Sequence, residues 1–292
     1  MTMLDRTIGV PARTPPASAP FAITKLSPGI GVEIQGVDCA GPIDEATFAA
    51  IRAAWENECV ALFRNQNLDE QQESDFAARF GRLGKVLHRH NGGAGVPGVM
   101  YISNIRENGE LIGSLPDGEM FFHADQCYTE NPAIATMLYA IEIPSTGGNT
   151  LFANMFSAYE TLPDDVKRRI DPLKAMNVYD YESNPTHRGS QIRDGVPHFA
   201  HPVVRTHPAN GRKALYVNRL MTDHIVGMDR AESDELLAYL FDHSEQPQFI
   251  YEHVWTPGDL LIWDNRSCLH ARTDFSDRER RLMRRVAIVS ES

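Results

Sequence analysis

The sequence has little of what usually settles a function at a glance. Cysteine occurs four times in 292 residues, as Cys39, Cys59, Cys127 and Cys268. These are too far apart for a C-x-x-C pair, so neither a disulfide framework nor a thiolate zinc knot is indicated. Reduced thiols and a cytoplasmic location are expected. Positive charge is in the minority: 28 Lys and Arg face 39 Asp and Glu, a net charge of -11. That balance provides no uniform field for phosphate backbones or anionic lipid, so neither nucleic acid nor membrane is expected as a partner. No apolar run approaches the ~20 residues of a spanning helix. The N-terminus carries Asp5, Arg6, Arg13 and several prolines where a signal peptide would be apolar.

Familiar phosphate and nucleophile motifs are missing too. There is no P-loop string, no H-E-x-x-H and no G-x-S-x-G. Gly93-Ala-Gly95-Val-Pro-Gly98 matches G-x-G-x-x-G as letters, but no strand leads into it, Pro97 interrupts it and a strand follows. A dinucleotide site needs a helix N-terminus there.

With 42% apolar and 23% charged residues, the chain can bury a sizeable core. Residues 1–20, rich in Pro, Ala and Thr, read as a flexible arm, and 21–292 as one domain. Helical spacing places Phe48, Ile51, Trp55 and Cys59 on one stripe, and Phe76 and Phe80 on another after the cap-like Asp69. A third amphipathic helix is predicted over 229–243. From Val60 onward β-rich runs dominate: Val60–Phe63, Val99–Ile102, Ala135–Ile143, Val203–Thr206, Ala214–Val217, Phe249–Trp255, Leu260–Trp263 and Arg285–Val289. Asn210-Gly211 predicts a tight hairpin turn between two of them. The pattern implies a mainly β protein with flanking helices, built on a double-stranded β-helix, a jelly roll of cupin type. The polar stretches 88–120 and 180–200 exceed ordinary connectors and are candidate lids, with plain mobile insertion as the alternative for the second.

Chemistry concentrates in two places. Phe121-Phe122-His123-Ala124-Asp125 sets an imidazole and a carboxylate two residues apart, which on a strand points both to one face. Trp263-Asp264-Asn265-Arg266-Ser267-Cys268-Leu269-His270 brings another histidine at the end of an apolar strand. Two His and one carboxylate form the facial triad of non-haem Fe(II). A bare H-x-D is nevertheless common by chance. Beyond His270, alternation puts Arg281, Met283 and Arg285 on one face and Arg280, Leu282 and Arg284 on the other. An interior guanidinium calls for a bidentate anion, because a buried unpaired charge is expensive. Arg280 and Arg284 read as solvated or paired at the surface. Asp164-Asp165 after Pro163 reads as a helix start.

His123-Ala-Asp125, Pro144-Ser-Thr-Gly-Gly-Asn-Thr150, the hairpin with His207-Pro, and Trp263-Asp-Asn through His270 to Arg281 and Arg285 together resemble the taurine dioxygenase and 2,4-dichlorophenoxyacetate dioxygenase family of Fe(II)/2-oxoglutarate oxygenases. The similarity runs from about residue 22 to 290. It implies that His123, Asp125 and His270 are iron ligands, that Arg281 and Thr150 bind the far carboxylate of the co-substrate 2-oxoglutarate, and that Arg285 receives an anionic substrate head. Taken alone, Thr150 reads as a loop threonine bonding its own backbone after Gly147-Gly148. The implied reaction consumes O2 and 2-oxoglutarate, releases succinate and CO2, and hydroxylates an unactivated C–H bond of a small sulfonate, carboxylate or aryloxyalkanoate. Asp125 in the ligand set favours hydroxylation over halogenation. Val86 stands where taurine enzymes carry a histidine, with His88 and His90 just beyond, and Phe122 replaces their Trp, which argues against taurine. His88 is thus a candidate substrate contact, while His198 and His201 read as structural or lid residues. A homo-oligomer is expected. Two other classes stay open at this point: a cupin-like metalloenzyme that does not use 2-oxoglutarate, and a non-enzymatic small-molecule binding barrel.

Overall fold

The computed structural model describes residues 21–85, 95–114, 120–179, 192 and 194–290. The predicted arm and parts of both candidate lids, including His88 and His90, lie outside these.

Runs such as Val60-Ala-Leu-Phe63 and Leu260-Leu-Ile-Trp263 are apolar at every position, although strands alternate faces. Their sheet is covered on both sides. In this eight-stranded sheet the order is Ala22–Lys25, Val32–Gln35, Val60–Phe63, Leu260–Asp264, Ala133–Glu142, Leu282–Val289 and Arg82–Leu83, with Val99–Ser103 also pairing to Leu282–Val289. Pairing is antiparallel except between Val32–Gln35 and Val60–Phe63. Ala61, Phe63, Leu260, Ile262, Val286 and Ile288 face outward, beneath the helices Glu45–Glu58 and Glu70–Ala78. Leu62, Leu138, Leu261, Trp263 and Met283 face inward, toward the second sheet.

The second helix begins where the sequence predicts, after Asp69, whereas the stripe predicted for the first named no start. Asp44 caps Glu45–Glu58, which buries Phe48, Ile51 and Trp55. Asp69 and Gln72 form a reciprocal capping box on Glu70–Ala78. Phe80, just beyond that helix and fully buried, meets Phe48, Trp55 and Phe76 edge-on with ring centroids 4.9, 5.3 and 5.4 Å away. Such an aromatic knot makes Phe80→Ala worth roughly 3–5 kcal/mol of stability. The third predicted helix spans Arg230–Ser244, capped by Asp229.

The second sheet has four strands in the order Ile250–His253, Thr150–Asn154, Cys268–Arg272 and Met120–His123. Phe152 from this sheet enters the inward core and lies 5.5 Å from Trp263 of the first sheet. Two mainly antiparallel sheets closed face to face give the expected jelly roll.

Three expectations need correction. Asn210-Gly211 makes no two-residue turn: the paired residues nearest the loop are Thr206 and Lys213, and only Gly211 is left-handed. His207 N–H donates to the Arg212 carbonyl and Gly211 N–H to His207, while the Asn210 amide reaches the Glu56 carbonyl. Asn210 thus sits in a longer turn, its Oδ1 accepting the Arg212 N–H at 3.0 Å, and also ties the loop to a helix end. The stretch 88–120 is no simple insertion, because Val99–Ser103 pairs within the first sheet and Arg106–Glu107 forms a small hairpin with Glu110–Leu111. Arg284 is buried, not at the surface: its Nε lies 2.9 Å from Glu73 Oε2 under the helix Glu70–Ala78.

Candidate active site

His123 ends the strand Met120–His123, and its cross-strand partner in Cys268–Arg272 is His270. Because directly paired residues share a face, the two rings lie 4.1 Å apart, tilted by 42°. Asp125 lies just past the strand end, in a turn with Gln126 left-handed at φ 57°. It therefore reaches the same side by a turn, not by the strand alternation predicted. Ligand atoms of His123, Asp125 and His270 all lie within 4.8 Å of one another. His270 Nε2 is 3.9 Å from Asp125 Oδ2.

Neighbouring groups fix each of these side chains. His123 Nδ1 meets the Phe121 carbonyl at 2.9 Å; an N–H there leaves Nε2 free as a donor to metal. Trp263 packs against the His270 ring at 4.6 Å, and its Nε1 donates to Asn265 Oδ1 at 3.1 Å. That same oxygen accepts the Asp125 backbone N–H at 3.2 Å, and the Asn265 amide donates to Thr136 Oγ1 at 3.0 Å. Thr136 in turn donates its hydroxyl to Asp125 Oδ2. The Trp-Asp-Asn segment thus works as an orienting frame for the carboxylate. Its Asp264 serves elsewhere, paired with His207 at 2.9 Å and with Arg266, out of reach of the cluster.

Burial would raise the Asp125 pKa, yet Arg285, with help from His270, His123 and the Thr136 hydroxyl, carries it well below the usual carboxylate range. Arg285 Nη2 is 2.8 Å from Asp125 Oδ2. Burial lowers both imidazoles, His270 furthest because His123 adds to the effect. An ionised carboxylate and two neutral imidazoles are the protonation states that bind a divalent metal.

These groups open into a cavity of about 360 Å3. Arg281 and Arg285 both line it, whereas the exposed Arg280 turns outward to Glu142 at 2.7 Å. Arg281 is only 2% exposed, and its Nε has no hydrogen-bond partner among the described residues. Burial first, then repulsion from Arg272, lowers its pKa to about 9. A cation that costs this much to bury is built for an anion. Gly148 brings the backbone up to this guanidinium in a left-handed conformation, φ 64°, that favours glycine. At Gly147 a Cβ would stand 2.3 Å from the Asp274 carbonyl. Gly147 is therefore needed for close approach and Gly148 for its left-handed backbone. Thr150, buried on the adjoining strand, also lines the cavity.

The sequence reading missed Arg272 and Lys85, which also line the cavity. Arg272 was within reach, because two residues beyond His270 on a strand is the same face. Lys85 follows a two-residue strand and gave no periodic signal. Met100, Ile102, Leu111, Tyr128, Leu138 and Tyr179 supply apolar wall. Of the other histidines, His201 is buried with Nε2 2.8 Å from the Thr129 carbonyl, and His198 is exposed.

Residues 22–287 match the Taurine catabolism dioxygenase TauD, TfdA family. The chain belongs to this family. It is 33% identical to the (S)-phenoxypropionate/alpha-ketoglutarate-dioxygenase of Sphingobium herbicidovorans, over 91% of this chain and 94% of that one. It is 32% identical to the alpha-ketoglutarate-dependent sulfate ester dioxygenase of Pseudomonas putida, over 94% and 93%. Among solved structures, AAD-2 in complex with Mn(II) and N-oxalylglycine superposes with a TM-score of 0.78 at 28% identity, covering 93% of this chain and 98% of that one. This TauD/TfdA-family protein is an Fe(II)- and 2-oxoglutarate-dependent dioxygenase acting on a small molecule with O2. The cupin-like and non-enzymatic alternatives fall away. Among the described residues no helix is long and apolar enough to cross a membrane.

Proposed function

We propose that His123, Asp125 and His270 hold the iron, that Arg281 and Thr150 hold the far carboxylate of 2-oxoglutarate, and that Arg285 steers the anionic head of a small organic substrate. The observation carrying this reading is one cavity shared by a His-Asp-His cluster and a buried guanidinium whose Nε lacks a partner. Iron bound there supplies the redox chemistry by which O2 and 2-oxoglutarate become succinate and CO2 while one substrate C–H becomes C–OH.

The chain's own residues do the positioning. Arg281 sets the co-substrate's far end, and Thr136 and Asn265 hold the Asp125 carboxylate in one rotamer. Arg285 already touches Asp125, so an incoming anion would share that guanidinium with the ligand carboxylate and stop close to the metal. The relatives' substrates, a phenoxypropionate and sulfate esters, are organic anions. Apolar walls from Met100, Ile102, Leu111, Tyr128 and Leu138 suit the hydrocarbon or aryl body of such a molecule. A carboxylate, sulfonate or sulfate ester with an apolar body is thus the substrate class, and His88 is a further proposed contact. The protein is further proposed to be cytoplasmic and homo-oligomeric, which localisation and sedimentation measurements check.

Substrate-stimulated oxygen uptake and succinate release across matched anions and neutral esters test the reading. Anions should be preferred, and Arg285→Gln should erase the preference. A wild-type preference for the neutral ester would remove Arg285 from the substrate site.

A further inference from the structure

Thr150 has one hydroxyl hydrogen to give, and its surroundings determine where that hydrogen goes. Its Oγ1 accepts a hydrogen bond from Trp255 Nε1 at 3.0 Å, and this is the one hydrogen bond the structure gives the hydroxyl among the described residues. Indole N–H is a donor only, so the Thr150 oxygen is an acceptor toward Trp255 and its own hydrogen must point elsewhere. Elsewhere is the cavity, which Arg281 and Arg272 also line. Arg272 is the cross-strand partner of Thr150.

Trp255 itself is held rigidly. It is 4% exposed, and its ring stands edge-on to His253 at 4.5 Å and 90°. His253 is fully buried and fixed at both nitrogens, with Nε2 3.1 Å from Asp259 Oδ2 and Nδ1 2.9 Å from the Tyr251 hydroxyl. Asp259 is further clamped by Arg64 at 3.1 Å and by the Thr256 backbone N–H at 3.0 Å. A series from the half-buried Arg64 through the buried Asp259, His253 and Trp255 thus ends on a single cavity hydroxyl.

We infer that Trp255 is a positioning residue for 2-oxoglutarate: its indole N–H occupies the Thr150 oxygen and turns the hydroxyl hydrogen toward the co-substrate's far carboxylate. The inference rests on the reading that Thr150 contacts 2-oxoglutarate. Without Trp255 the hydroxyl is free to rotate, and part of its donor alignment is lost on each binding event.

The test is a double-mutant cycle. Binding of 2-oxoglutarate to the Mn(II)-loaded protein is followed by calorimetry for wild type, Trp255→Phe, Thr150→Val and the double variant, with succinate kinetics alongside. Trp255→Phe should weaken 2-oxoglutarate about 3- to 10-fold in binding and in KM, on the scale of one hydrogen bond, with kcat within about twofold. In the Thr150→Val background the same change should have no further effect. Equal weakening in both backgrounds would make Trp255 a packing residue and overturn the inference, as would wild-type affinity in Trp255→Phe. Wild-type affinity in Thr150→Val would instead remove the Thr150 contact itself. If Trp255→Phe does not fold, benzothienylalanine placed at position 255 removes only the N–H, and the same cycle decides.

Discussion

Arg281 and Arg284 are near neighbours in sequence and both buried, and they differ in who supplies the counter-ion. Arg284 faces the helices, lies 2.9 Å from Glu73, donates to the Leu68 carbonyl and covers the Tyr139 ring at 4.7 Å. Arg281 faces the cavity, and among the described residues no carboxylate pairs with it. Histidines divide in the same way. His207 is sealed against Asp264, whereas His123 and His270 turn donor atoms toward Asp125 in open space. The outer arginine finds its carboxylate within the fold and so belongs to the scaffold, while the inner groups leave valences for ligands and so form the site. Each expected outcome below separates the two.

The largest effect is expected at the triad. His270→Ala should abolish succinate formation and lower Fe(II) or Mn(II) affinity by well over the ~100-fold that loss of an orienting partner can cost. His207→Ala should lower the melting temperature and leave metal content intact. Metal analysis of the two purified variants checks both, and normal iron occupancy in His270→Ala would break the assignment.

Next comes the arginine pair. Arg281→Leu should raise the 2-oxoglutarate KM by roughly 100-fold, as expected for a desolvated charge-assisted pair. The ligand-free protein should melt no lower than wild type, because an uncompensated buried charge has been removed. Arg284→Leu should do the reverse, leaving KM unchanged and costing about 3 kcal/mol through the abandoned Glu73. Thermal melts and 2-oxoglutarate titrations of both variants decide. Similar behaviour of the two would dissolve the distinction.

Much of this contrast was legible in advance, and the exceptions have physical causes. Val60–Phe63 was bounded as observed, because doubly buried strands are continuous apolar runs between turn residues. Alternation placed Arg281 and Arg285 together, since a strand's period depends on nothing outside it. Arg284 escaped because its partner Glu73 lies in a helix whose sequence, Glu70-Gln-Gln-Glu-Ser-Asp-Phe-Ala-Ala78, shows no sign of burying a carboxylate. Asp125 was placed on a strand because the H-x-D spacing fits one, and the turn at Gln126 left no distinct mark. The frame of Trp263, Asn265 and Thr136 joins residues 129 apart in sequence for its Asn265–Thr136 bond, a distance no local pattern spans.

Opposite pH responses should follow from two buried carboxylates of the scaffold. Burial, only partly offset by Arg284, raises Glu73 from 4.5 to about 8. Between those values the folded state binds more protons than the unfolded, so this group makes stability fall as pH rises from about 4.5 to about 8, by at most ~1.4 kcal/mol per unit. Asp264 is also buried, but Arg266 and His207 carry it down from 3.8 to about 2. Its contribution is present above 3.8 and lost as pH falls through 2. Denaturation across pH 4–9 should therefore show a flatter alkaline side in Glu73→Gln than in wild type. An unchanged slope would mean that Glu73 is ionised throughout.

The smallest effect tests whether an identical chemical bond means different things in the two regions. Thr136→Val keeps the shape of a fully buried strand residue, removes the hydroxyl that meets Asp125, and strips the Asn265 amide of its acceptor. Thr222→Val is the counterpart away from the site, deleting a buried hydroxyl that donates to Asn177 Oδ1 at 2.8 Å. Each hydroxyl makes two buried bonds, that of Thr222 also accepting the Asn218 backbone N–H at 2.9 Å, so both variants should lose about 1–3 kcal/mol of stability through the partners left unsatisfied. Only Thr136→Val should also bind Mn(II) about tenfold more weakly in chelator competition, because a carboxylate no longer held in one rotamer must be ordered by the metal itself. Equal metal affinity in the two variants would reduce the Trp263–Asn265–Thr136 frame to ordinary packing, and the orientation of Asp125 would then rest on Arg285 alone.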